Sequence, residues 1–504
     1  MPAQTIILKS NPGIKRDGTK FDGDFYTDGQ WVRFQRGLPR KMGGYKSLSI
    51  PLGEMSRGLT NYPQNNLVFC HSGGETTLER FTLDDDKLSS PTIDRTPTTL
   101  TASAYNHWMF DHAFDASVGA TQIIAQVAPN GSNFNNAVGG QIFSGDVDDT
   151  VALTEITLPP DTNATGGVVM LHPYLFYYGS GGIVGWSVAG DITDLTGSGS
   201  GIARPWGQKI IKGLPLRAGA GSAPAGIFWA YDAIIRASFV GGSAVFQFDT
   251  LATDTSILSA DCVVDYDGVF YWAGIDRFLM FNGVVREVPN AMNLNWFFDH
   301  LNLKQRTQVF AFKVPRYGEI WWCYPRDNAA ECSHAIIYNV RENTWYDTEL
   351  PSGFRTAASF CNAYAIPLMV GGDSKVWLHE QGVDRIESAS ILTVESHFET
   401  CDISSIATKG MNAKLRLTAI EPDFVQAGPL EVQVTGRANA RSPEVISKTF
   451  VVPETATETY EQIVMLKEQR RELRVKFTSN SIGGDYQMGQ IIAHLESGDH
   501  TVLG

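Results

Sequence analysis

The sequence is short of charge, of clustered cysteine, of long apolar runs and of catalytic signatures, and each shortage excludes something. Charged residues make up 19% of the 504, whereas 43% are apolar, enough for a sizeable core. No apolar stretch approaches the length of a membrane-spanning helix. The opening MPAQTIILKSNPG lacks the basic and long apolar segments of a secretory signal. Six cysteines (Cys70, Cys262, Cys323, Cys332, Cys361, Cys401) are dispersed with no CxxC spacing. They read as reduced thiols of a protein folded in cytosol, with Cys323 and Cys361 buried.

Catalytic signatures are missing too. No G-x-S-x-G, H-E-x-x-H, P-loop or GxGxxG stands in a supporting context. His107, Asp111 and His112 lie close in HWMFDH, but on a strand the two histidines face opposite ways and make a poor metal pair. Asp84, Asp85 and Asp86 lack the glycine and distal glutamate of a calcium loop and read as a solvated turn. Asp265 and Asp267 resemble faintly the acidic residues of glycosidase propellers. The serine and glycine spacing of an Asp box is absent, and a hairpin turn explains the pair better. The sequence therefore indicates no enzyme, no metal and no cofactor. The net charge of −14 argues against a general nucleic-acid binder, because holding phosphates needs Lys and Arg. It leaves room for a wall that DNA passes without sticking.

What is present is β-structure. Glycine is frequent (49) and aromatics reach 11%, the balance of an all-β chain of short strands and many turns. The organising stretch is GEIWWCYPRDNAAECSHAIIYNVRENTW, from Gly318 to Trp345. Glu319 to Tyr324 forms an aromatic and β-branched run that Pro325 ends, and His334 to Val340 resumes the pattern. Trp321, Trp322, Tyr324, Pro325, Tyr338 and Trp345 make it a structural motif of the kind a β-propeller blade is built from. Related hairpins run from Asn65 to Asp84, Gln122 to Gly131, His172 to Gly190, Ala233 to Leu251, Cys262 to Gly283 and Pro367 to Gly382. The spacing brackets that of propeller blades, with six the preferred count and five or seven open.

The expected organisation is an N-terminal segment (1–50), a propeller-like body (51–400) and a C-terminal antiparallel β-sandwich-like domain (401–504). Loop extensions are expected at about 84–104 and 131–161. One short helix is expected between Asn290 and Gln308, with Leu294, Trp296, Phe297, Leu301 and Leu303 on its apolar side, plugging or bridging blades. Past Thr400, strands at Asn412–Glu421, Pro429–Asn439, Glu444–Val452, Arg471–Asn480 and Tyr486–Glu496 largely alternate apolar and polar with period two. In the N-terminal segment, WVRFQRGLPRKMGGY interleaves Trp31, Val32 and Phe34 with Arg33, Arg36, Arg40 and Lys41. These four cations are candidate contacts for a partner or DNA. The plainer alternative pairs them with the acidic remainder of the same chain.

Several of these stretches resemble the tail nozzle family of short-tailed bacteriophages, also called tail hub or packaged-DNA stabilisation proteins. The likeness rests on Phe281-Asn282-Gly283, Asn293 to Asp299, Gly318 to Pro325, Ile336 to Asn339 and Trp345. It extends to Arg36 to Gly44 and the closing RELRVKFTSNSIGGDYQMGQI. The resemblance implies a homo-oligomeric ring, a hexamer, assembled in the host cytoplasm and sited at the tip of the virion tail. Such a ring seals packaged DNA and conducts it at ejection. It meets a head-to-tail adaptor or connector above, and tail fibres or a needle elsewhere. Two other classes compete: a carbohydrate-binding propeller or adhesin using Trp186, Trp206 and Trp345, and a propeller glycosidase.

Overall fold

Short aromatic and β-branched runs broken by glycine turns give hairpins, and in the computed structural model the hairpins stack into sheets. The structure describes residues 4–498 apart from 21–22, 105, 130–139, 217–222, 351–352, 409–413, 440 and 455–462. Six meandering four-stranded sheets follow one another along the chain, at 59–94, 106–156, 167–203, 210–253, 263–287 and 310–349. The strands at 355–379 form a seventh, whose fourth strand is Tyr45–Ser47, drawn from before the first blade. These are blades 1 to 7 of a propeller. Their first strands line one central tunnel. Blade 7 closes on blade 1, where Asn61 donates to Ser359 Oγ at 2.7 Å and to the Phe360 carbonyl. Closure leaves no exposed inner edge.

The count is seven where six was preferred. Each hairpin quoted above falls in its own blade. Spacing misled because blade lengths vary widely, 263–287 against 106–156. The expected extension at 131–161 is not an appendage over its described part. Gln141–Asp146 and Thr154–Ile156 are the outer strands of blade 2, and residues 131–139 lie outside the described ones. Within 84–104, Ile93–Asp94 is likewise the outer strand of blade 1.

The helix is real but shorter, Leu294–His300, followed by a 3-10 turn at Leu303–Gln308. Leu301 is extended and breaks it, and Leu303 faces solvent. Phe297 is fully buried, with its ring 5.2 Å from Phe278 of blade 5 and 4.7 Å from Tyr324 of blade 6. The helix thus bridges two blades. Its first turn is capped from afar: both Asp17 carboxylate oxygens accept backbone N–H groups, from Trp296 at 2.8 Å and Asn295 at 2.9 Å.

The last hundred residues build two antiparallel sheets, and the N-terminal segment is woven into both. In one, Leu415–Ala427 lies between Val464–Arg470 and Asp485–Ser497, and Asp485–Ser497 also pairs with Gln4–Leu8 and Leu38–Lys41. In the other, Arg474–Ser479 lies between Leu430–Gly436 and Ser396–Glu399, and Asp28–Gln30 forms an edge. Ser396–Glu399 and Val464–Arg470 were not anticipated. Sandwich and propeller share one core, in which Trp31, Phe34, Val432 and Phe477 belong to the same buried cluster as Phe312 and Trp321 of blade 6.

Candidate functional site

Three places could carry function: the basic strip, the cleft beside it, and the propeller tunnel. The strip does not form a basic surface. Val32–Gln35 and Leu38–Lys41 are adjacent sandwich strands packed against the propeller, and Val32, Arg33 and Phe34 are all buried. Arg33 is 1% exposed. Its guanidinium contacts Glu319 at 2.9 Å and Glu380 at 2.9 Å and lies 3.6 Å from the Tyr317 ring centroid. Burial alone would lower the Arg33 pKa, but the two carboxylates outweigh it and hold the group charged well above its ordinary range. Lys41 is also buried and donates to the Gly484 carbonyl at 2.6 Å. These two cations cannot meet a partner. Arg40 is half-buried against Gln35, and Arg36 alone of the four is exposed.

The structural motif is spent on packing. Trp321, Trp322, Tyr324, Pro325, Tyr338 and Trp345 are all buried. Trp321 donates to Glu319, Trp322 to the Cys262 carbonyl, Trp345 to the Pro289 carbonyl and Tyr338 to Asn343. Trp31 meets Trp321 edge-on at 5.9 Å, so the motif is also the joint between propeller and sandwich.

Beside that joint lies a cleft of about 950 Å³. Arg16 crosses it, bonded to Asp347 of blade 6 at 3.0 Å and to Asp28 of the sandwich at 2.5 Å. Burial would raise the Asp28 carboxyl, but His397 and Arg16 hold it far below the usual carboxylate range. Trp296 also lines the cleft, with the Arg326 guanidinium 4.4 Å and that of Arg16 5.6 Å from its ring centroid. Cations already occupy this aromatic surface.

The tunnel encloses about 460 Å³ and is lined from all seven blades. An ionic knot bridges it: Asp261, ahead of blade 5, pairs with His107 of blade 2 at 2.7 Å and Lys212 of blade 4 at 3.3 Å. Burial would raise the Asp261 carboxyl, and its two partners hold it well below the usual range. Asp111 also lines the tunnel. Burial raises its pKa although it accepts N–H groups from Met170 and His112. His112 lies on the opposite face, against Tyr62. Sequence reasoning missed Asp261 and Lys212 because tunnel residues come from different blades and share no local spacing.

The remaining sequence candidates are structural. Asp265 accepts the Gly268 N–H at 3.0 Å across a turn in which Asp267 and Gly268 both have positive φ (51° and 81°), the two-residue hairpin geometry. Asp84 accepts the Leu88 N–H at 2.8 Å, closing a turn. Trp186 and Trp345 are buried, and Trp206 is half-buried with its N–H on Asp232. All six cysteines are free and buried. Among the described residues, no cluster of three or more His, Cys, Asp or Glu could hold a metal, and no helix is long and apolar enough to cross a membrane.

No family model matches this chain, and no curated protein is similar to it. Among solved structures, the WD40 β-propeller domain of Doa1 aligns over 68% of this chain and 97% of its own, at 10% identity and a TM-score of 0.40. A likeness at that level adds nothing to the sheet pairing, on which the propeller assignment stands.

Proposed function

We propose that this chain is a structural subunit of a short-tailed phage virion, forming with copies of itself a ring, a hexamer, at the tail tip that retains packaged DNA and conducts it at ejection. The observation that carries the reading is the use made of the motif. Its large aromatics are buried and join the blades to one another and to the sandwich. A motif spent on rigidity suits a part of a mechanical assembly.

The tunnel bears on the route. A space of about 460 Å³ bridged by an ionic knot has no room for a duplex whose major groove alone is about 12 Å wide. DNA would pass between subunits, around the ring axis, along walls of an acidic protein that repels phosphate. Arg36 and Arg40 remain candidate contacts for the adaptor; fibres or a needle would take other surfaces.

Native mass by light scattering, together with negative-stain imaging of the protein and of its virion, tests this. Six-fold rings and density at the tail tip are expected. A monodisperse monomer absent from virions overturns the reading and returns attention to carbohydrate binding, for which half-buried Trp206 is the most accessible of the three candidate tryptophans.

A further inference from the structure

Beyond the ionic knot, at the tunnel mouth where the inner strands begin, a smaller cavity of about 40 Å³ is ringed by residues of five blades and their connections. Three are cationic or can become so: Lys209 leads into the inner strand of blade 4, Arg306 into that of blade 6, and His107 stands in that of blade 2. His107 is turned to Asp261. The Arg306 guanidinium lies 5.7 Å from the Tyr231 ring centroid. The hydroxyls at the rim are engaged elsewhere, Ser259 on the Val309 carbonyl and Thr165 on Asn163.

Lys209 is the anomaly. Its ammonium is half-buried and pairs with no carboxylate among the described residues. Residues 130–139, which join the second and third strands of blade 2 and lie outside the described ones, contain no Asp or Glu. Burial lowers the Lys209 pKa with no opposing charge to hold it up. Arg306, which hydrogen-bonds the Tyr231 hydroxyl, brings a second cation to the same cavity. A desolvated cation without a counter-charge is costly, and buried charges are ordinarily paired.

We infer that the tunnel mouth binds one small oxyanion, a phosphate or carboxylate group, between Lys209 and Arg306. The cavity is small and suits one compact group. The ligand is a free anion, or the tip of a larger molecule whose body stays outside. The site belongs to one chain and does not depend on the ring proposed above.

Thermal melting in sodium phosphate, in sodium acetate and in sodium chloride at matched ionic strength tests it, on the intact protein and on Lys209→Met and Lys209→Arg. Phosphate is expected to raise the melting temperature of the parent and of Lys209→Arg above the chloride value. Lys209→Met should lose that rise, with binding weakened roughly tenfold or more. Acetate acting like phosphate would extend the site to the carboxylate of a partner protein; acetate without effect would confine it to phosphate. In chloride alone, Lys209→Met should melt no lower than the parent, since it removes an uncompensated cation. A lower melt, an equal response to chloride and phosphate, or a phosphate response surviving in Lys209→Met overturns the inference.

Discussion

Each of blades 1 to 6 is one unbroken stretch of chain, whereas the sandwich is knitted from both ends. Asp485–Ser497 pairs with Gln4–Leu8, and Ser396–Glu399 with Asp28–Gln30. A blade therefore closes through contacts a few residues apart. The sandwich, by contrast, needs the two ends of the chain to meet, at a larger loop-closure cost. The joint between the two regions is correspondingly elaborate. The N-terminal segment supplies Arg16, Trp31 and Arg33 to it, Asp17 to the bridging helix, and a strand to blade 7. The first fifty residues act as a strap across both regions, and this gives a physical reason for their mixture of arginine and tryptophan.

The largest effect should come from cutting that strap at its most buried point. Arg33→Ala leaves Glu319, 0% exposed, without its cation. Removal of one partner of a buried pair costs about 3–5 kcal/mol, read as a fall in the urea midpoint. Because Phe312 and Trp321 share a core with the sandwich, both regions should unfold in one transition in the parent. If the variant loses little stability, the joint is held by Trp31 and its neighbours and the ion pair is incidental.

Acid should act on stability chiefly through the histidines of the propeller. His112 sits at about 4 because burial disfavours its charged form, and His334 is lowered to about 4 by burial and then by Arg326. Burial, aided by neighbouring arginines, also lowers His71 and His379. All four lie on propeller strands. The unfolded chain takes up a proton near pH 6.5 that the folded His112 refuses until about pH 4, so stability is full above 6.5 and falls as pH drops. The slope is about 1.4 kcal/mol per pH unit for each such histidine. The sandwich histidines His397 and His494 instead face carboxylates, Asp28 and Glu421. Asp28 is depressed, so its contribution is lost only on acidification below the ordinary carboxylate range. Denaturation curves at pH 7 and pH 5, followed by tryptophan fluorescence, should keep one transition and show a lower midpoint at pH 5. A pH-independent midpoint across that window would contradict the buried neutral histidines.

The same division explains what was legible in the sequence. Hairpins in blades announce themselves because strand, glycine turn and strand are adjacent. All seven were visible, down to the Asp267-Gly268 bend. Period-two alternation likewise marked most sandwich strands. What did not show was pairing at a distance. Nothing local says that Tyr45–Ser47 completes a blade whose other strands begin at Arg355, or that Arg33 answers Glu319 across 286 residues. Trp296 read as an apolar helix residue, yet two guanidinium groups lie against its ring. Tunnel chemistry was least legible of all, since Asp261, His107 and Lys212 belong to three different parts of the ring.

A smaller effect tests the strap at its far end. Asp17→Ala should cost about 1 kcal/mol, the usual worth of a helix cap, because the N–H groups of Asn295 and Trp296 lose their acceptor. Asp17→Asn, which keeps an oxygen acceptor, should recover most of it. An unchanged midpoint in Asp17→Ala would mean that water replaces the carboxylate and that the segment before Phe25 is fastened mainly through Arg16.

The smallest effect is expected on the outer rim of a blade. Arg236 and Asp249 face each other across the last two strands of blade 4 at 3.0 Å, both well exposed. Exposed pairs are screened by solvent and contribute little, so Arg236→Ala should leave the urea midpoint of the isolated chain where it was. The pair is nevertheless useful for sharpening the comparison, because in the ring proposed above a blade rim is a surface that a neighbouring copy could cover. Should the same variant leave the monomer untouched yet weaken an assembled ring, the rim of blade 4 would be a contact between subunits. Symmetry would then be built through the locally closed propeller, leaving the sandwich to hold each subunit's ends together.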